Sequence, residues 1–281
     1  MPVHASGAQR ASLSRSLRLT AFALMTALTV GLGAMANPEP VSAAAVKVVI
    51  VVGPVGSSTR DYKASAKRYA ALARTYGATV VEVYSPYATW TKVKAATNGA
   101  NILVYLGHGN GWPSPYGPFQ KLTKDGLGLN SRSGHGNSNL KYRGEYYVAR
   151  DMNLARNAVV ILNRLCYASG NSEWGRANPT KTTAKKRVDN YGAGFLRANA
   201  RAVFAEATSS ISYTLKALLT SNQTVDSIFM GHPSASGARD FRFSSSRTPG
   251  YRAHMDPPKA GKYWRSLIGN LSLTATQVRG G

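Results

Sequence analysis

Two side chains in this sequence have the chemistry of a base and a nucleophile, and each stands at the end of an apolar run. In "ILVYLGHGNG" (Ile102 to Gly111), five apolar or aromatic residues lead into His108, which is held between Gly107 and Gly109. In "AVVILNRLCYASGN" a second apolar run, Ala158 to Asn163, leads into Cys166. Cys166 is the single cysteine of 281 residues, so no intramolecular disulfide can form. A thiol is a strong nucleophile as the thiolate, and a nearby imidazole can favour that form and later shuttle a proton to a leaving group. Glycines around a histidine permit unusual backbone angles and let a substrate come close. The Gly109 N–H can then face a developing oxyanion, and so can the N–H of Cys166. Each residue alone has an ordinary explanation, His108 as a polar strand terminus and Cys166 as a small buried filler. Their matching placement favours a catalytic pair, whose thiol is expected to react rapidly with iodoacetamide near neutral pH.

The pair meets only if the fold brings the two runs together. Residues 45 onward alternate strand and helix patterns, which signals βαβ units and a mainly parallel sheet. Strands are expected at Ala45 to Gly53, Ala78 to Tyr84, Asn101 to Leu106, Ala158 to Asn163 and Ala200 to Ala207. Helical periodicity runs through Tyr62, Ala66, Tyr69, Ala70, Ala73 and Tyr76, through Trp90 and Val93, through Val188, Tyr191 and Phe195, and through Ile211, Leu215, Leu218 and Leu219. In open parallel sheets, ligands and catalytic groups gather where strands end. If the third and fourth strands are parallel neighbours, His108 and Cys166 share one edge of the sheet. Residues 110–157, rich in Gly, Asn, Ser and Pro, read as a long loop of the kind that is either functional or disordered.

An apolar strand ending in His-Gly, followed 58 residues later by Cys after a second apolar strand, resembles the caspase-like cysteine peptidases, the group of caspases, metacaspases, legumains and gingipains. "CYASG" is similar to the Cys-x-Ser-Gly of bacterial members with one residue inserted, and "NYGAGFLRANARAVFAEA" resembles the helix and strand that follow. The likeness covers most of residues 45 to 230. It implies a three-layer α/β sandwich with a mainly parallel caspase-like sheet flanked by helices, and a secreted endopeptidase. It makes Cys166 the nucleophile, His108 the general acid/base, and the Gly109 and Cys166 N–H groups the oxyanion donors, with no cofactor and no metal. It also places Arg164, and more loosely Arg60, at the pocket for the residue before the cut, where a guanidinium suits a carboxylate. Asp61 and Glu206 are the rival lining, for a basic residue. Leu165 departs from the small residue usual before the cysteine, and Arg164 from the Asp typical of metacaspases. Activation by cleavage is frequent in the group, and "NPTKTTAKKR" (Asn178 to Arg187) is the candidate site, or else an ordinary helix start.

The rest of the chain sets the context. Arg10, Arg15 and Arg18 precede an apolar run that ends in small residues, so residues 1–43 read as a signal peptide and the protein as secreted, with no transmembrane segment in the mature chain. Residues 44–237 are the expected catalytic domain, and 238–281 an extension packed on it, with a further strand expected at "DFRFS" (Asp240 to Ser244). Removing 1–43 takes three Arg and one Glu from a net charge of +23 and leaves +21. Such a charge attracts anionic surfaces without specifying them, and no zinc-finger or helix-turn-helix pattern points to specific nucleic-acid binding. The expected partner is a peptide or protein substrate, with an anionic cell-envelope surface as a second. His135, His232 and His254 read as loop residues, and "GPVGSS" (Gly53 to Ser58), which lacks the Walker Lys, reads as a turn. Two rival functions remain open on the same scaffold: an inactive binder of anionic envelope polymers, and a dyad acting on a non-peptide ester.

Overall fold

The run KVVIVV forms β1 (Lys47–Val52), and from Val48 onward every side chain in it is buried. Five of its six residues are β-branched, which suits a pleated strand, and burial on both faces marks the centre of a parallel sheet. The structure, a computed structural model, describes residues 45–280. The expected signal peptide lies outside them. The elements continue as α1 (Thr59–Thr75), β2 (Thr79–Tyr84), α2 (Trp90–Thr97), β3 (Ile102–Leu106), β4 (Leu127–Asn130), β5 (Leu140–Arg143), α3 (Glu145–Asp151), β6 (Ala158–Asn163), α4 (Lys181–Arg197), β7 (Ala200–Glu206), α5 (Ser212–Thr220), α6 (Val225–Met230), β8 (Phe241–Ser244), β9 (Arg252–Met255), β10 (Arg265–Gly269) and α7 (Ala275–Arg279).

Eight strands form one mixed sheet in the order β2-β1-β3-β6-β7-β10-β9-β8. The strands from β2 through β7 are parallel; β10, β9 and β8 run antiparallel to their neighbours. Side chains alternate across a strand, so each helix buries against one alternate set. Val48, Ile50, Val52, Ile102, Val104 and Ile161 share a core with α1, α5, α6 and α7. Val49, Val51, Leu103, Tyr105 and Val160 share the other core with α2, α3 and α4. Small residues at helical spacing, Ala66, Ala70 and Ala73, let α1 lie close to the sheet.

Three regions differ from the sequence expectation. The 110–157 stretch contains the β4–β5 hairpin and α3 in addition to loop. The residues from 238 hold the strand expected at DFRFS, which is β8, and two more, β9 and β10, that join it to β7, so they extend the hydrogen-bonded ladder of the main sheet as well as packing on it. His254 is therefore in β9, fully buried, with Nδ1 at 2.6 Å from Asp226 and Nε2 at 3.0 Å from Asp240. The candidate processing stretch is a loop only as far as Thr180, whose side chain caps α4 by accepting from the Thr183 N–H. From Lys181 it is helix, which an exposed cleavage site would have to unwind.

Candidate active site

β3 and β6 are parallel neighbours in register, Leu106 opposite Asn163, so the chain leaves both strands at the same edge. Two residues past the end of β3 stands His108, and three past the end of β6 stands Cys166. The turn that carries Cys166 is tight. Arg164 (φ 63°) and Tyr167 (φ 72°) both adopt left-handed backbone on either side of Leu165 and Cys166. That conformation costs a non-glycine residue roughly 1–2 kcal/mol, so the surrounding contacts must hold it. The Asn163 side chain donates to the Glu206 and Ser209 carbonyls at 3.0 and 2.9 Å, and the Arg164 N–H donates to Glu206 O at 2.8 Å.

Gly109 explains the second glycine of the histidine motif. A Cβ there would stand 2.1 Å from the Cys166 carbonyl oxygen and 3.1 Å from the Cys166 nitrogen, so only glycine lets the two backbones touch. Neither the Gly109 nor the Cys166 N–H donates a hydrogen bond among the described residues. Beneath them the buried Tyr105 hydroxyl accepts from the Gly128 N–H (2.9 Å) and lies 2.7 Å from Gly128 O and 3.1 Å from His108 O. It ties the β3 exit to β4.

His108, Gly109 and Cys166 line one cavity of about 680 Å³, with Asn110, Tyr142 and Glu173 among its walls. Cys166 also lines a second cavity of about 800 Å³, with Tyr62, Arg164, Glu173, Trp174 and Lys262. Two clamps shape the loops around them. The Lys124 ammonium donates to Asn110 Oδ1 (2.8 Å), Ser114 Oγ (3.0 Å) and Tyr116 O (3.0 Å). The Arg187 guanidinium, from α4, donates to Pro113 O (2.7 Å) in the loop after β3 and to Asn171 O (2.7 Å) in the loop after β6. Its Cζ lies 4.7 Å from the Tyr167 ring centre.

The electrostatics describe a neutral resting pair. Burial pushes the Cys166 thiol up to about 11, and the Glu173 charge adds to the rise. His108 keeps a solvent-exposed edge, yet the protein around it lowers its pKa from the usual 6.5, against an opposing pull from Glu173. No hydrogen bond joins the imidazole to the thiol among the described residues. An imidazole with a lowered pKa in the same cavity as an un-ionised thiol has the chemistry of a general base. Rapid alkylation of the free thiol at neutral pH is therefore not expected of this environment.

Of the residues singled out in the sequence, the structure brings His108, Gly109 and Cys166 together and sets Arg164 beside them. It does not bring Arg60, whose side chain is 91% exposed on the first turn of α1 and lies 3.6 Å from Asp61. Glu206 is spent elsewhere, its carboxylate receiving the Arg265 Nε–H at 3.0 Å in a buried cluster with Asp256. His135 is exposed in the β4–β5 loop, and His232 is buried with Nε2 at 2.9 Å from Ser210 O. Sequence reasoning missed Glu173, which lines both cavities and accepts the Tyr116 hydroxyl at 2.7 Å. It missed Arg187 and Tyr105 too. An acid three residues past a positive-φ glycine carries no local signal, and Arg187 sits in a basic run that reads as solvated.

No family model and no curated protein matches this chain. Among solved structures, a secreted C11 cysteine protease from Bacteroides thetaiotaomicron, in complex with an irreversible peptide inhibitor, aligns with a TM-score of 0.37 and 9% identity over 75% of this chain. The alignment spans 66% of that protein. A likeness at that score does not establish a shared fold.

Proposed function

We propose that this chain is a secreted caspase-like cysteine endopeptidase, a three-layer α/β sandwich that cuts peptide bonds through a Cys166–His108 dyad and a thioester acyl-enzyme. The observation that carries the reading is the shared cavity: a thiol, an imidazole and two unspent backbone N–H groups at the ends of adjacent parallel strands. In the first step Cys166 Sγ attacks the scissile carbonyl carbon as His108 takes the thiol proton. The carbonyl oxygen becomes an oxyanion faced by the Gly109 and Cys166 N–H groups. Collapse breaks the C–N bond, and His108 returns its proton to the departing amine. Water, deprotonated by His108, then attacks the thioester, and the acid leaves with the sulfur again a thiol.

Hydrolysis of a peptide library by Cys166→Ala, His108→Ala, the double variant and His135→Ala tests the proposal. Each dyad variant should lose at least about a thousandfold in kcat/KM, the double no more than either single, and His135→Ala nothing. Full activity in either dyad variant contradicts it. One observation favours a second reading, an inactive scaffold that binds anionic envelope polymers: the thiol is held up at about 11 with no hydrogen bond from His108. In that case the wild-type chain cuts nothing and still binds such polymers through its net positive charge.

A further inference from the structure

The acyl-transfer chemistry assigns sides to the cleft. His108 hands a proton to the leaving amine, so the leaving half of a substrate lies in the cavity that holds His108. The acyl half then lies in the larger cavity, which Cys166 also lines and His108 does not.

That larger cavity carries three cations on its walls, Arg164, Arg176 and Lys262. None of them is in an ion pair among the described residues. Each lies near an aromatic ring instead: Arg164 at 5.5 Å from the Tyr62 ring centre, Arg176 at 6.0 Å from Tyr116, and Lys262 at 5.8 Å from Trp264. A ring face steadies a cation without using up its N–H donors. The Arg164 side chain donates no hydrogen bond among the described residues, and Arg176 reaches only the Tyr116 hydroxyl, at 3.4 Å. Glu173 is the one carboxylate on the same walls, and it is already engaged by the Tyr116 hydroxyl. Three cations thus face one anion, with donors to spare in a space of about 800 Å³. A guanidinium fork matches a carboxylate, while a basic side chain entering here would meet like charge. Lys262 and Trp264 come from the β9–β10 connection, so the C-terminal strands build part of this wall.

We infer that the larger cavity is an anion subsite that selects peptides with Asp or Glu on the acyl side of the cut, and that the β9–β10 connection completes it. The side assignment rests on the acyl-transfer reading; the preference for an acidic side chain does not. The test is a calorimetric titration of Cys166→Ala, which cannot form the thioester, with blocked pentapeptides Ala-Ala-Xaa-Ala-Ala in which Xaa is Asp, Asn or Arg. The Asp peptide should bind at least about tenfold more tightly than the Asn peptide at low salt, and the gap should narrow as salt is added. Arg164→Ala and Lys262→Ala, each added to Cys166→Ala, should shrink that gap. Arg132→Ala, which removes an exposed cation outside the cavity, should leave it, so that overall charge is not mistaken for the subsite. Equal affinity for Asp and Asn, tighter binding of Arg, or a gap indifferent to Arg164 and Lys262 overturns the inference. The wild-type chain with the same peptides separates the two proposals. Selective binding of the Asp peptide by a chain that cuts no peptide removes the acyl-transfer reading and leaves the subsite. Cleavage with no preference for Asp does the reverse.

Discussion

At the scale of the residue, the site is set by what surrounds Cys166 more than by what it bonds to. Glu173 lies on the walls of both cavities, and its charge raises the pKa of the thiol and of His108 together. It therefore favours the thiol in the free protein and would favour the imidazolium formed in the proposed attack. Glu173→Gln removes the charge at nearly constant shape, so the thiol pKa should fall from about 11 and alkylation below that pH should quicken. Tyr116→Phe breaks the hydrogen bond across the cleft but leaves the charge. It should not reproduce that shift. Iodoacetamide labelling of Cys166 as a function of pH reads both variants; an unmoved profile in Glu173→Gln refutes the electrostatic role. His108 and Cys166 were legible in the sequence because each follows an unbroken apolar run, and Gly109 because it adjoins the histidine. Glu173 was not, because its partner Tyr116 is 57 positions away and only the fold brings them together.

At the scale of the element, the two loops that carry His108 and Cys166 depend on a helix that supplies neither residue. Arg187 projects from α4, is 6% exposed, and bonds carbonyls in the loops after β3 and after β6. Without it, part-buried carbonyls lose a charged donor, and Arg187→Ala should cost about 2–4 kcal/mol of stability. Both cavities should loosen in step, so that kcat/KM falls even where the protein is still folded. Lysine keeps the charge but has no planar fork, and Arg187→Lys should recover only part of the loss. Thermal unfolding and kinetics of the two variants check this, and an Arg187→Ala protein as stable and active as wild type contradicts it. The parallel strands were readable because Val and Ile runs such as Val48 to Val52 have few other uses. β8 was readable as well, because FRFS alternates apolar and polar side chains with the period of a strand. β4, with the sequence LGLN, is four residues long and carries a Gly, and its strand character comes from pairing with β5, which no local period encodes.

At the scale of the whole molecule, the eight-stranded sheet joins a parallel half that bears Cys166 and His108 to an antiparallel half that supplies Lys262 and Trp264. The sequence suggested an appended C-terminal extension because its strands are short and separated by Pro-, Gly- and Lys-rich turns. Register with β7 makes it part of the same sheet. No helix among the described residues is long and apolar enough to cross a membrane. The central claim, that Cys166 carries the acyl half of a cleaved peptide, is tested most directly by intact-mass spectrometry of the chain quenched in acid during turnover. The account predicts a mass increase equal to the acyl fragment, located at Cys166, absent from Cys166→Ala and reversed when the quenched protein is returned to neutral pH. Turnover of the peptide by Cys166→Ala, or a covalent adduct that maps to any other residue, would contradict it.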